Sequence, residues 1–309
     1  MTDQPATGPY SGRGASTPRW WPSRYGTGDT LGAGNELTSE RVLEALRLPR
    51  SGELMELGQI LEAGVPAFPP RGWDQYILSH GTLEEMVEAP QGTRPTEFEE
   101  HVDQGYHVGT HLDALGHMGI NGRFYNGVPY GEIYGVTGLS RLGIDGVRPW
   151  VARGVCLDIA AVHGVSMLPD RFEILPEHLD AACKRQGTEV RPGDVCLLHT
   201  GWAALWMVDN DRYGSAEPGV GWEGAHWLTE RRPSLVGADN WAFEVWPPAD
   251  PDDTLIVHQH LLAETGTYIL ENLVTSRLAD RAITEFLFLL TPAKTRGSTA
   301  CMAGPVAVV

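Results

Sequence analysis

The chain has 309 residues, 42% of them apolar, which is enough to bury a sizeable core in one α/β domain. Its 23 basic and 40 acidic residues give a formal charge of −17, a sign that repels phosphate backbones and anionic lipid heads and argues against nucleic-acid and membrane-surface partners. No run of about 18 apolar residues could span a bilayer, and the four widely spaced cysteines form no CxxC pair, which disfavours a cysteine zinc site and suits a reducing cytoplasm.

Residues 1–19 are polar and rich in Gly and Pro, lack the apolar core of a signal peptide, and read as a flexible tail ahead of a single domain over 20–309. Trp20 and Trp21 lead into a Gly-rich turn region ending at Asn35. Thr38 is placed to cap a short helix running to Leu48, with Val42, Leu43, Ala45 and Leu46 as its apolar face. Leu54 to Ile60 reads as a strand, and the prolines that follow exclude a helix there. Between residues 84 and 100 the acids Glu84, Glu85, Glu88, Glu97, Glu99 and Glu100 form a block whose mutual repulsion predicts a solvated face. Residues 122–135, GRFYNGVPYGEIYG, read as a turn-rich loop.

The second half alternates more regularly. Strands are predicted from Gly154, from Asp194 to His199, from Ser234 to Asp239, from Tyr268 to Glu271, from Phe286 to Leu290 and from Pro305 to Val309. Helices are predicted over Pro176–Gln186, with the proline in the first turn, and over 256–264. Strands spaced by helices predict a layered α/β fold.

The chemistry concentrates in His107-Val-Gly-Thr-His111-Leu-Asp113, followed by His117. On a helix His107 and His111 would share a face and Asp113 would point away from it. On an extended chain side chains alternate with period two, and these four residues all occupy odd positions. Gly109, Thr110 and Gly116 disfavour a helix, so the segment is predicted to be extended, kinked at its glycines and convergent on one face. Two imidazoles and a carboxylate on one face suit Zn²⁺ or Mn²⁺. His117, furthest along, has the near-neutral pKa that proton transfer requires. A further ligand must come from elsewhere, and the best donor stretch is His258-Gln259-His260 followed by Glu271, an acid at the end of an apolar strand where a cation would supply its pairing. Trp20, Trp21, Trp73, Tyr106, Tyr125 and Trp202 are candidates for an aromatic substrate wall, with His260 as a substrate contact if His258 is the ligand. Asp158 and Asp239 end apolar strands, either as turn caps or as partners behind the ligands.

Together these segments resemble the cyclase family, whose members include bacterial kynurenine formamidases. The family motif HxGTHxDxPxH stands here as HVGTHLDALGH over 107–117, with Leu115 in place of the motif proline, and the distal VHQHLL and ILENL resemble the family's second ligand segment. The resemblance spans roughly Trp20 to Leu290, and WWPSRYGTGDTLGAGNELT, HTGW and GADNWAFEV resemble the longer bacterial branch. It implies a swivelling β/α/β domain with a mixed, barrel-like central sheet, assembled as a homodimer or homotetramer. It also implies one or two Zn²⁺ or Mn²⁺ ions, a first held by His107, His111, Asp113 and Glu271 and a second by Asp113, Glu271 and His258, with His117 as general acid–base. The activity it implies is metal-assisted hydrolysis of a C–N bond in a small substrate. A lactonase or polyketide-type cyclase using the same site, and a non-catalytic metal-binding protein, are the alternatives.

Overall fold

The computed structural model describes residues 19–78 and 98–309. The segment read as an N-terminal tail, except for Arg19, and the acids Glu84, Glu85, Glu88 and Glu97 lie outside them. Glu99 and Glu100 are exposed.

Thirteen strands are described: β1 (Leu54–Glu56), β2 (Trp73–Ile77), β3 (Glu100–Gln104), β4 (His111–Asp113), β5 (Trp150–Asp158), β6 (Glu173–Ile174), β7 (Val195–His199), β8 (Gly219–Val220), β9 (Leu235–Ala238), β10 (Tyr268–Glu271), β11 (Glu285–Leu290), β12 (Ala300–Met302) and β13 (Val306–Val308). Nine form one curled sheet in the order β1-β13-β11-β5-β7-β9-β10-β4-β12, with helices packed around it. The four middle strands β5, β7, β9 and β10 run parallel, and both flanks are antiparallel. The fold is therefore α/β, as the alternation of elements predicts, with the mixed, barrel-like central sheet that the family resemblance implies.

The parallel strands β7, β9 and β10 are buried along their whole length, as strands covered on both faces must be. The antiparallel β11 shows the two faces separately. Leu287 and Leu289 lie on the side of Ala45, Val151 and Val308, while Phe286 and Phe288 enter the main core. Phe286 sits directly across from Gly154, where a Cβ would come within 2.2 Å of its ring, so the glycine makes room for the aromatic.

Thr38 caps the helix Ser39–Ala45, its hydroxyl accepting from the Arg41 amide at 3.3 Å. That helix is shorter than predicted and buries Ala45 alone, leaving Leu43 and Leu46 exposed. Pro176–Gln186 is a helix with the bounds read from the sequence, opened by its proline and stopped by Gly187 at φ 66°. Three expectations are corrected. β1 ends at Glu56, because Gly58 leaves it to bridge Leu273. The loop after Gly122 contains a helical turn, Tyr130–Ile133. The helix from Ile256 changes to a π-helix over Gln259–Thr265.

Candidate active site

β4 lies between β10 and β12, and its register places His111 opposite Glu271 and Asp113 opposite Ile269. Directly opposed residues project to the same face, so His111, Asp113 and Glu271 converge. The period-two reading holds within this strand only. His107 and His117 stand in turns on either side of it, and it is those turns that bring their rings to a centroid distance of 4.1 Å. Gly109, at φ 64°, permits the first turn. The second turn is closed by the His117 amide donating to Ala114 O at 2.9 Å, with Leu115 buried in the core where the motif has proline.

The six predicted residues form one cluster in which each carboxylate serves two sides. Asp113 Oδ1 is 3.0 Å from His107 Nδ1 and 3.6 Å from His111 Nε2, and Glu271 Oε2 is 3.1 Å from the same His111 nitrogen. On the other side Asp113 Oδ2 is 3.9 Å from both His117 Nε2 and His258 Nε2, and Glu271 Oε1 is 3.1 Å from His258 Nε2. Of the two distal histidines, His258 is the one that reaches the cluster. His260 is turned away, its nitrogens 2.9 Å from the Thr229 hydroxyl and 2.7 Å from Glu264.

The electrostatics of the cluster are those of a cation site. Burial alone would raise the Asp113 carboxyl, but His117, His107 and His111 outweigh it and hold the group well below the usual carboxylate range. Burial also opposes ionisation of Glu271, and His111 and His258 hold it below its ordinary value. Burial opposes protonation of His258 and His111, yet Glu244 and Glu271 raise the first well above an ordinary imidazole, and Glu271 and Asp113 raise the second. Burial pushes His117 down to about 3, against the pull of Asp113, so this imidazole is neutral at physiological pH.

A divalent ion fits here. Neither Asp113 oxygen accepts a hydrogen bond, although both are buried, and His107 Nδ1 stands at ion-pair distance from Oδ1. Ligand atoms of His111, Asp113 and Glu271 lie within 4.8 Å of one another, as do those of His107, Asp113 and His117. His111 is oriented by its Nδ1, 2.8 Å from Gly109 O, which leaves Nε2 to face the carboxylates. Imidazole and carboxylate donors suit Zn²⁺ or Mn²⁺. The site is open toward His107 and His117, whose side chains are 13% and 18% exposed while the other four are at most 5%.

Residues outside the predicted set hold the two ligand strands together. The Thr110 hydroxyl donates to Asn272 O at 2.5 Å and accepts from the Gln59 amide at 2.8 Å, and Tyr213 donates to Asn272 Oδ1 at 2.6 Å. Asn272, at φ 55°, turns the chain immediately after Glu271. Thr299 Oγ1, next to β12, lies 3.1 Å from His107 Nε2. Thr110→Val leaves a part-buried amide and a buried carbonyl without this partner and is expected to destabilise the chain by about 2 kcal/mol. Equilibrium denaturation reads this directly, and an unchanged midpoint would deny the staple.

Of the six aromatic candidates, Trp202 and Tyr125 are buried. Trp202 is fully buried beside Tyr213, its indole N–H donating to Tyr213 O at 3.2 Å, and is a core residue. Tyr125 is buried and donates to Asp29 at 2.7 Å. Trp20 packs edge-on against Trp21, which lies between the guanidinium groups of Arg19 and Arg123. Trp73 opens the separate two-stranded β2–β3 sheet. Tyr106 precedes His107 in the chain, and its hydroxyl lies 3.0 Å from that of Thr295. Asp158 caps the turn after β5 by accepting from the Ala161 amide, and Asp239 accepts from the amides of Thr200 and Gly201 and sits 3.2 Å from His199. Glu244 is buried against His258 and was not singled out from the sequence. A buried acid inside the apolar run Trp241–Val245 is the signal that would have pointed to it. Thr299, a hydroxyl residue beside a three-residue strand, gave none.

Among the described residues no helix is long and apolar enough to cross a membrane, and all four cysteines are free thiols. No curated protein sequence matches the chain. A solved structure described as a novel cyclase is similar at 28% identity with a TM-score of 0.83, covering 93% of this chain and 98% of that one. Isatin hydrolase A from Ralstonia solanacearum is similar in fold, at 21% identity and a TM-score of 0.58, covering 82% and 91%. So is a structure described as a potential metal-dependent hydrolase with cyclase activity, at 17% identity and a TM-score of 0.52, covering 82% and 98%. The family model named Cyclase matches residues 55–245, more than half of the chain and inclusive of the whole His107–His117 segment. With that match and the shared architecture, the chain belongs to the cyclase family.

Proposed function

We propose that the chain is a metal-dependent hydrolase that cleaves the C–N bond of a small amide, with cyclic aromatic amides and formamides as the preferred class. One observation carries this reading: two buried carboxylates, one accepting no hydrogen bond at either oxygen, each facing imidazoles on two sides. His107, His111, Asp113 and Glu271 would hold a first ion, and Asp113, Glu271 and His258 a second. An ion bound there supplies Lewis-acid polarisation of a carbonyl and acidification of water. His117, the most exposed of the six, takes a proton from the attacking water as the new C–O bond forms. It returns that proton to the nitrogen as the C–N bond breaks, giving a carboxylic acid and an amine. Among the fold relatives, isatin hydrolase A carries the name of a cyclic aromatic amide, which makes that class the first to try.

The test is a substrate panel run on protein of measured Zn and Mn content: isatin, N-formylated aromatic amines, lactams and lactones. Ring opening or deformylation that disappears with the ion and returns on reloading is expected. Turnover of lactones alone would replace the amide reading with a lactonase. Turnover without an ion would sink the metal mechanism, and bound ion with no turnover across the panel would count against the proposed substrate classes.

A further inference from the structure

Four imidazoles surround Asp113, and the groups behind them differ. His111 Nδ1 faces the carbonyl of Gly109 and His107 Nε2 faces the hydroxyl of Thr299, both neutral partners. Behind His258 stands a carboxylate. Glu244 Oε1 is 2.5 Å from His258 Nδ1 and also accepts from the His258 amide at 3.0 Å, while Oε2 accepts from the Val257 amide at 3.3 Å. Two backbone amides therefore pin the carboxylate, which is 2% exposed and cannot swing away. Its main chain is fixed as well: a Cβ on Gly219 would lie 2.3 Å from the Glu244 carbonyl carbon, so the two backbones are in close contact.

From this geometry we infer that Glu244 is a positioning residue, which keeps the proton of His258 on Nδ1, aims Nε2 at the Asp113–Glu271 carboxylates, and so sets how tightly the His258 side of the cluster holds a divalent cation. The inference rests on the metal reading above and adds to it an asymmetry between the two sides. A carboxylate behind a histidine ligand makes the ring a stronger donor and fixes its orientation, and removing such a partner weakens metal binding by roughly 10–100-fold. The neutral partners of His107 and His111 give the other side no equivalent dependence.

Zn²⁺ is titrated into the metal-free full-length chain against a chelating indicator, for the native protein and for Glu244→Ala and Glu244→Gln, with thermal melting of each apoprotein alongside. Two ions are expected for the native chain. Glu244→Ala weakens one of them by roughly 10–100-fold and leaves the other near its native affinity. Glu244→Gln falls between, because its amide oxygen still accepts from Nδ1–H, a partial rescue that a merely structural role does not produce. Native affinities in both variants overturn the inference, as does an equal weakening of both ions in both variants. So does a native chain that takes a single ion whose affinity neither variant changes; a single ion weakened by both substitutions supports it. Should the alanine variant fail to fold, the glutamine variant decides by the same criteria. A native chain that binds no ion removes the metal reading itself, a result distinct from native binding that ignores Glu244.

Discussion

Asp113→Asn is expected to empty both sides of the cluster of metal and to lower turnover by on the order of 10³-fold or more, the equivalent of losing several kcal/mol of Lewis-acid assistance. The reason is positional. Asp113, like Glu271, faces the two sides with separate oxygens, Oδ1 toward His107 and His111 and Oδ2 toward His117 and His258. An amide of the same shape offers one neutral oxygen and an N–H₂ that points donors at imidazole nitrogens or at Glu271. Elemental analysis of the purified variant measures the loss, and a melting curve shows whether the fold persists. By contrast, His111→Ala removes a donor from one side only. Stoichiometric ion in Asp113→Asn at native affinity would show that the Asp113 carboxylate does not hold the ion.

His117→Ala is expected to lower turnover by 10²–10⁴-fold while leaving ion content near native. The geometry makes this a sharp test, because His117 Nε2 stands as far from Asp113 Oδ2 as His258 Nε2 does, and together with His107 and Asp113 it has ligand spacing. Its greater exposure places it where an incoming substrate arrives. Parallel measurement of ion content and of kcat separates the roles. Loss of kcat with ion retained assigns acid–base work to His117. Loss of an ion along with kcat makes His117 a ligand and moves the proton-transfer role elsewhere.

Much of this site is local in origin and therefore legible along the chain. Period two, with two β-compatible residues around Leu112, suffices to put His111 and Asp113 on one face of a strand. An acid closing the apolar run Tyr268–Glu271 needs a partner wherever the strand is buried. The helix Pro176–Gln186 carries its own start and stop signals, and the alternation of apolar runs with helices specifies the layered α/β class. The cyclase resemblance rests on the same short segments.

What the chain order leaves open depends on register and on turns. His258 and His260 are two residues apart at the start of a helix, about 200° around its axis at roughly 100° per residue, so both cannot face one centre. The sequence determines that one of them must turn away. Only the placement of Ile256–His258 against β10 decides that it is His260, which finds Thr229 and Glu264 instead. The equal parity of His107 and His117 has no meaning outside the strand; turns at Gly109 and Ala114 bring them in. Glu244, Thr299 and Asn240, whose carbonyl accepts from the Asn272 amide, reach the cluster from elements 14 to 192 residues away from their partners. No local pattern encodes such pairings, because they exist only once the sheet order β9-β10-β4-β12 has closed. The sequence by itself determined which chemical groups were present and which two or three shared a face; the tertiary structure decided which of them share a proton, a cation or neither, because those are contacts between strands and helices remote along the chain.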